Sequence, residues 1–213
     1  MSILRPQKNL FSNIRRIDNL LNEIRESKDL DNISIENYRG ESIEFTYIKI
    51  DKAIINNTEM INGKLENNSF IDVVFNNCNF SNTSFENSSF IRCEFNNCKL
   101  TGCNFVETRI YNVSFIESNI NYANFSTSSI ENVLFDNSSL RNSRFQENKF
   151  KNIKFRQADL RQAQFFKTSL KGIDFSDSII EGIAVSIEDI KGSSINQFQA
   201  VDLLYLLGVK IKE

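Results

Sequence analysis

The sequence predicts an all-β solenoid, a chain wound into stacked four-sided coils of about twenty residues. Three regularities predict it. A large apolar residue falls on every fifth position, from Phe45, Ile50, Ile55 and Met60 through Leu65, Phe70 and Phe75 to Ile180 and Val185, with no polar residue in the series. Two residues before each large one stands a smaller one, as in Val73, Cys78, Thr83, Ser88, Ala123, Ala158 and Ser178. The large residues also alternate by column. Those at 75, 95, 115, 135, 155 and 175, and at 85, 105, 125, 145 and 165, are all Phe, while the columns between them mix Phe with Leu and Ile.

A period of five matches neither the 3.6 of a helix nor the 2.0 of a flat strand. It fits a chain that turns a corner every five residues, so that each large side chain points inward from a new side. Residues two apart on an extended segment share a face, so the small residue points inward as well and fills the corner. The other three positions are mostly Asn, Ser, Glu, Lys and Arg and face water. The column alternation sets the number of sides at four, two opposite sides lined by Phe and two largely aliphatic. Structural core positions are therefore Phe75, Phe95, Phe115, Phe135, Phe155 and Phe175. Residues 43–183 make about seven coils, a rod of roughly 35 Å at about 4.8 Å per coil.

Ahead of the coil, Leu10, Phe11, Ile14, Ile17, Leu20, Leu21 and Ile24 form an apolar stripe at helical spacing. The stripe predicts a short helix within residues 10–28 that covers the first coil; a partner-binding helix is the alternative. The register is faint at Ile33 and Ile35, breaks at Gly40 and is firm from Ile43. The expected organisation is a helical cap at 1–30, the coil at 31–190, and a C-terminal helix with a short tail at 191–213.

Charge is uneven along the coil. Between Glu41 and Leu140 acids outnumber bases about two to one. From Arg141 to Lys171 the balance inverts, and Arg141, Arg144, Lys151, Lys154, Arg156 and Arg161 are the candidate partner surface within that band. A solvated face is the alternative. Phe166 is the one aromatic residue expected outside the coil here, too few for stacking on bases, so direct nucleic-acid binding is not expected.

At the end of the chain Ser194 and Gln197 carry a capping-box spacing. Phe198, Val201, Leu203, Leu204 and Leu207 follow, and Gly208 is a helix stop. One contact with the last coil cannot bury a helix so apolar all round, which predicts a two-fold dimer through these five residues. Val209 and Ile211 alternate with Lys210 and Lys212 as a short strand would.

Composition excludes several functions. The 213 residues hold no His and four Cys, and the cysteines all lie in the small inward register. Without His there is no Ser-His or Cys-His pair, and without a C-x₂-C pair a zinc site is not expected. Buried reduced thiols acting as small packers are expected instead, with no metal, no cofactor and no catalytic residue. The N-terminus lacks the apolar run of a signal peptide, and no stretch of about 18 apolar residues is present. The expected location is the cytoplasm, away from the membrane.

The repeats Cys78-Asn79-Phe80-Ser81-Asn82, Cys103-Asn104-Phe105, Ala158-Asp159-Leu160-Arg161 and Ile173-Asp174-Phe175-Ser176 resemble those of the pentapeptide-repeat proteins. That resemblance implies a right-handed quadrilateral β-helix. Asn82, Asn87, Asn97, Asn132, Asn137 and Asn142 stand at corners where the family often has Gly; Asn also tolerates turn conformations. Lys171-Gly-Ile-Asp-Phe175, Lys191-Gly192 and the stretch from Gln199 to Val209 are similar to the ending of the Qnr and MfpA group. This second resemblance implies a homodimer through the C-terminal helix that binds DNA gyrase or topoisomerase IV and protects it from quinolones or toxins. The alternative is a protein-interaction scaffold with an unrelated partner.

Overall fold

The computed structural model describes residues 3–6 and 14–209. Its elements run β1 (Arg15–Ile17), α1 (Leu20–Glu26), β2 (Asp29–Glu36), β3 (Arg39–Glu41), β4 (Lys49–Asn56), β5 (Glu59–Ile61) and β6 (Ser69–Asn76). They continue with β7 (Ser89–Ile91), β8 (Glu94–Asn96), β9 (Arg109–Ile116), β10 (Ser129–Asp136), β11 (Lys149–Arg156), α2 (Ile187–Ile190) and α3 (Gln197–Leu203). A 3₁₀ turn at Leu204–Leu207 follows α3.

The strands stack in parallel, each residue opposite the one a coil later; β3 and β5 pair in a small sheet of their own, and the other nine strands form one sheet. Ile50 lies beside Phe70, Ile110 beside Ile130, and Phe135 beside Phe155. Isolated parallel bridges such as Lys64 to Ser84 and Asn79 to Lys99 continue the register on the other sides. Inside, the Phe columns stack face to face. Phe95 and Phe115 have ring centroids 4.9 Å apart at 9°, and Phe105 and Phe125 are 4.7 Å apart at 3°. The two columns meet edge to face across the axis, with Phe115 and Phe125 6.3 Å apart at 81°. Offset stacks and edge contacts are the arrangements the ring quadrupole favours, so one residue type satisfies both directions of packing.

The small inward residues have a second task. Ser88, Ser118, Ser128 and Ser138 each donate a hydroxyl to the carbonyl of a large residue on the preceding coil: Leu65, Phe95, Phe105 and Phe115. Cys78, Cys93, Cys98 and Cys103 point their thiols at the equivalent carbonyls of Ile55, Phe70, Phe75 and Phe80. A buried carbonyl needs a donor, and Ser, Thr or Cys supplies one where Ala or Val cannot. Burial pushes the Cys93 thiol up to about 12, so it is a protonated packer and a poor nucleophile. Among the described residues no cluster of His, Cys, Asp and Glu could hold a metal ion. No helix of the described residues is long and apolar enough to cross a membrane.

The two ends differ from the sequence expectation. The helix is confined to Leu20–Glu26, capped by Asn19, whose side chain accepts from the Asn22 amide. Leu10 and Phe11 lie outside the described residues, and Ile17 is in β1, paired with Ile35 of β2. Ile17, the one buried residue of β1, stands three residues before Leu20 and seven before Ile24, so it continues the helical spacing of the stripe without being helical. Since β2 starts at Asp29 in full register with β4, the stack begins ahead of residue 31. At Gly40 the missing large side chain is replaced by the ring of Tyr38, which a Cβ at Gly40 would meet at 2.8 Å. At the other end the cap is two residues later than Ser194 and Gln197 suggest: Asn196 and Gln199 form the capping box. Of the terminal Lys and Ile alternation, only Val209 is within the described residues.

Candidate functional site

Two regions bear on function, the basic band and the C-terminal cap. The structure divides the band. Arg141 and Arg161 project from one side of the coil, and Lys151, Lys154 and Arg156 lie on β11 at the opposite side, ten residues on. Most of these charges are matched. Arg141 and Arg161 share Asp159, at 2.5 and 2.7 Å. Arg156 forks onto Asp136, and Lys151 reaches Glu131 at 2.6 Å. Burial raises the pKa of Asp159, but hydrogen bonds from Arg161 and Arg141 outweigh it and hold the carboxyl at about 2. Arg144 and Lys154 have no salt bridge among the described residues. A band contiguous in sequence is thus two patches in space, because ten residues is half a coil.

The β11 side of the band borders a break in the stack. Corners after Phe80, Phe85, Leu100 and Phe105 are hydrogen-bonded turns, the amide three residues on donating back at 3.0–3.4 Å. The two remaining corners of those coils lack that bond, so strands such as β9 and β10 run through them. In the last coil these corners close too: Ile173 donates to Leu170 at 3.0 Å and Ser178 to Phe175 at 2.9 Å. Gly172, at φ 80°, supplies the left-handed residue of a type II turn. A closed corner does not continue an open one. Among the described residues no backbone hydrogen bond joins 149–157 to 169–177, although side chains bind either end, Thr168 accepting from the Asn148 amide and Ser178 from that of Ala158. The stacked rings widen accordingly, from 4.5 Å between Phe75 and Phe95 to 5.6 Å between Phe155 and Phe175. An open cleft of about 420 Å³ follows, edged by Lys154, Arg156, Asp174 and Asp177. The residue pattern continues unbroken here, and only Gly172 signals the change of corner. Hydrogen exchange checks it: the Gln157 amide should exchange at least about tenfold faster than that of Asn137, which donates to Arg156 at 2.9 Å.

The C-terminal cap closes the last coil by hydrogen bonds. Gln199, buried, donates to the carbonyls of Phe175 and Ser178 at 2.7 and 2.6 Å. Asn196 donates to the Ser176 carbonyl and Tyr205 to that of Ile183. Leu203 and Leu206 pack against the core. Leu203 therefore faces the coil, while Leu204 is half-buried. Phe198 is 76 % exposed and Leu207 66 %, with Val201, Tyr205 and Val209 about half exposed beside them. Tyr205 and Val209 were not among the interface residues read from sequence; an apolar helix leaves its facing ambiguous until the coil it docks on is known.

Two family models match the chain. One, described as a pentapeptide repeat region, covers residues 88–165, and the other, pentapeptide repeats in 8 copies, covers 69–105 and 149–182. Together they span more than half of the sequence. The chain belongs to the pentapeptide-repeat family. Among solved structures it is similar to HetL, a pentapeptide repeat protein involved in heterocyst differentiation regulation from the cyanobacterium Nostoc sp. strain PCC 7120. The identity is 13%, with 84% of this chain and 94% of that one covered and a TM-score of 0.55. It is also similar to QnrB1, a plasmid-mediated fluoroquinolone resistance protein, at 16% identity, 83% and 100% coverage and a TM-score of 0.43. At these identities the HetL likeness shows the fold alone, and the looser QnrB1 superposition carries no argument. No curated protein matches the chain.

Proposed function

We propose that this pentapeptide-repeat chain is a non-enzymatic, cytoplasmic binding rod, joined to a second copy through its C-terminal cap, and that its partner is a type II topoisomerase. The apolar cap carries the reading. Phe198, Val201, Tyr205 and Leu207 stay exposed after the helix has docked on its own coil, and they lie in the stretch from Gln199 to Val209, or just before it, that resembles the Qnr and MfpA ending. The stacked coils present side chains in fixed rows about 4.8 Å apart, a surface suited to rigid protein recognition. Glu86, Glu107 and Glu117 form no salt bridge among the described residues and supply acidic contacts for a basic enzyme surface. Purified protein at micromolar concentration should inhibit gyrase supercoiling or preserve it against a fluoroquinolone. If it does neither, the partner is another protein and the scaffold reading replaces this one.

A further inference from the structure

One outer side of the coil carries buried residues that do not belong to the core. Asp72, Glu94, Asn112, Ser114, Leu134 and Asp136 sit at positions facing away from the axis, yet none is more than 9 % exposed. On the opposite side the corresponding row of Lys64, Ser84, Asn104, Asn124 and Arg144 is half-buried or exposed. The start of the chain lies on the covered side. Arg5 Nε is 3.5 Å from Glu94 Oε1, and the Arg5 charge also acts on Asp136. Pro6 is buried. Ile54, Val74 and Leu134, in the same row as Glu94, provide an apolar rail along the stack.

The resident segment fits this side incompletely. Glu94 Oε1, Asn112 Nδ2 and Ser114 Oγ are buried with no hydrogen-bond partner among the described residues. Asn112 is 2 % exposed and Ser114 1 %. Buried polar groups are nearly always bonded, and here an amide donor and a hydroxyl lie unbonded beside a carboxylate held only by the long ion pair to Arg5. Asn152 donates to Asn132 on the coil below at 2.9 Å, but the neighbour below Asn112 is Arg92, which is committed to Asp72, so the Asn112 amide has no acceptor within its row. The three groups complement an extended peptide: carbonyls for Asn112 and Ser114, and a fully engaged guanidinium for Glu94. The strands beneath are already paired on both edges, so such a peptide is held by side chains and not by adding a strand.

We propose that this side is a docking site for an extended peptide with an arginine set among aliphatic residues and a proline, and that the chain's own residues 3–6 are its displaceable occupant. A partner segment that satisfies Glu94, Asn112 and Ser114 together replaces the internal one. This site is far from the C-terminal cap and independent of the topoisomerase reading.

The test uses the full chain and a labelled synthetic peptide with the sequence of residues 2–9, read by fluorescence anisotropy. Arg5 is more than half exposed on its side chain, so Arg5→Glu releases the internal segment without touching the core. The peptide should bind the Arg5→Glu protein at least about tenfold more tightly than the wild type, whose site is occupied. Adding Glu94→Lys restores an internal ion pair of reversed sign and should abolish peptide binding. Leu134→Lys in the Arg5→Glu background should also abolish it, by removing the apolar rail. Thermal melts of each variant control for folding. Equal binding to wild type and Arg5→Glu, or binding that survives Glu94→Lys, overturns the proposal.

Discussion

Phe115→Asp should abolish cooperative folding. The ring is 1 % exposed and lies between Phe95 and Phe135, at 4.9 and 5.0 Å. Truncating such a ring to Ala costs about 3–5 kcal/mol. An unpaired carboxylate in its place adds a desolvation penalty of several kcal/mol. A domain of ordinary stability, about 5–15 kcal/mol, does not survive the sum. The damage also propagates, since each coil is stabilised by its neighbours and an interruption in mid-stack splits the array. Circular dichroism through a thermal melt should show no cooperative transition. Tyr122→Asn is the control: Tyr122 is an exposed corner residue at φ 61°, a conformation Asn adopts readily, so stability should change by less than about 0.5 kcal/mol. A Phe115→Asp protein melting like Tyr122→Asn would show that the five-residue register does not face inward.

The coil was legible because its constraint repeats. Each inward position is set by the same packing on the coils above and below, and one residue class therefore recurs at Phe75, Phe95, Phe115 and onward. The four-sided geometry followed from column composition alone. Features that occur once left weaker traces. The change of corner at Gly172 rests on one backbone conformation, and the replacement of a large residue by Tyr38 rests on one ring. The ion pair on Glu94 comes from Arg5, about ninety residues away in sequence, which no local pattern reports. The basic band failed as a single patch because sequence proximity within a coil is opposition in space. Position in a solenoid is read modulo twenty, and Lys151 is as far as possible from both Arg141 and Arg161.

The C-terminal cap should make the protein a dimer, and removing two side chains should undo it. Docking on the last coil already consumes Leu203, Leu206 and Gln199. What remains exposed is a second apolar face of Phe198, Val201, Tyr205 and Leu207. Burying a large apolar side chain contributes roughly 1.5–3 kcal/mol, and a two-fold contact counts every residue twice. Four such residues from each chain supply a gain of the same order as an association cost of about 4–15 kcal/mol, and above most of that range. Light scattering at micromolar concentration should give about twice the chain mass of 24.6 kDa. Phe198→Asp with Leu207→Asp should return the single-chain mass while leaving the melt cooperative, because neither residue contributes to the bonds that close the coil. Truncation after Ser193 is a different experiment. It removes Gln199 and Tyr205, leaves the carbonyls of Ser178 and Ile183 without these donors and that of Phe175 with the Ser178 amide alone, and should give aggregation through an open end. Intact protein at single-chain mass would refute the dimer, and the double variant separates that contact from the capping of the coil.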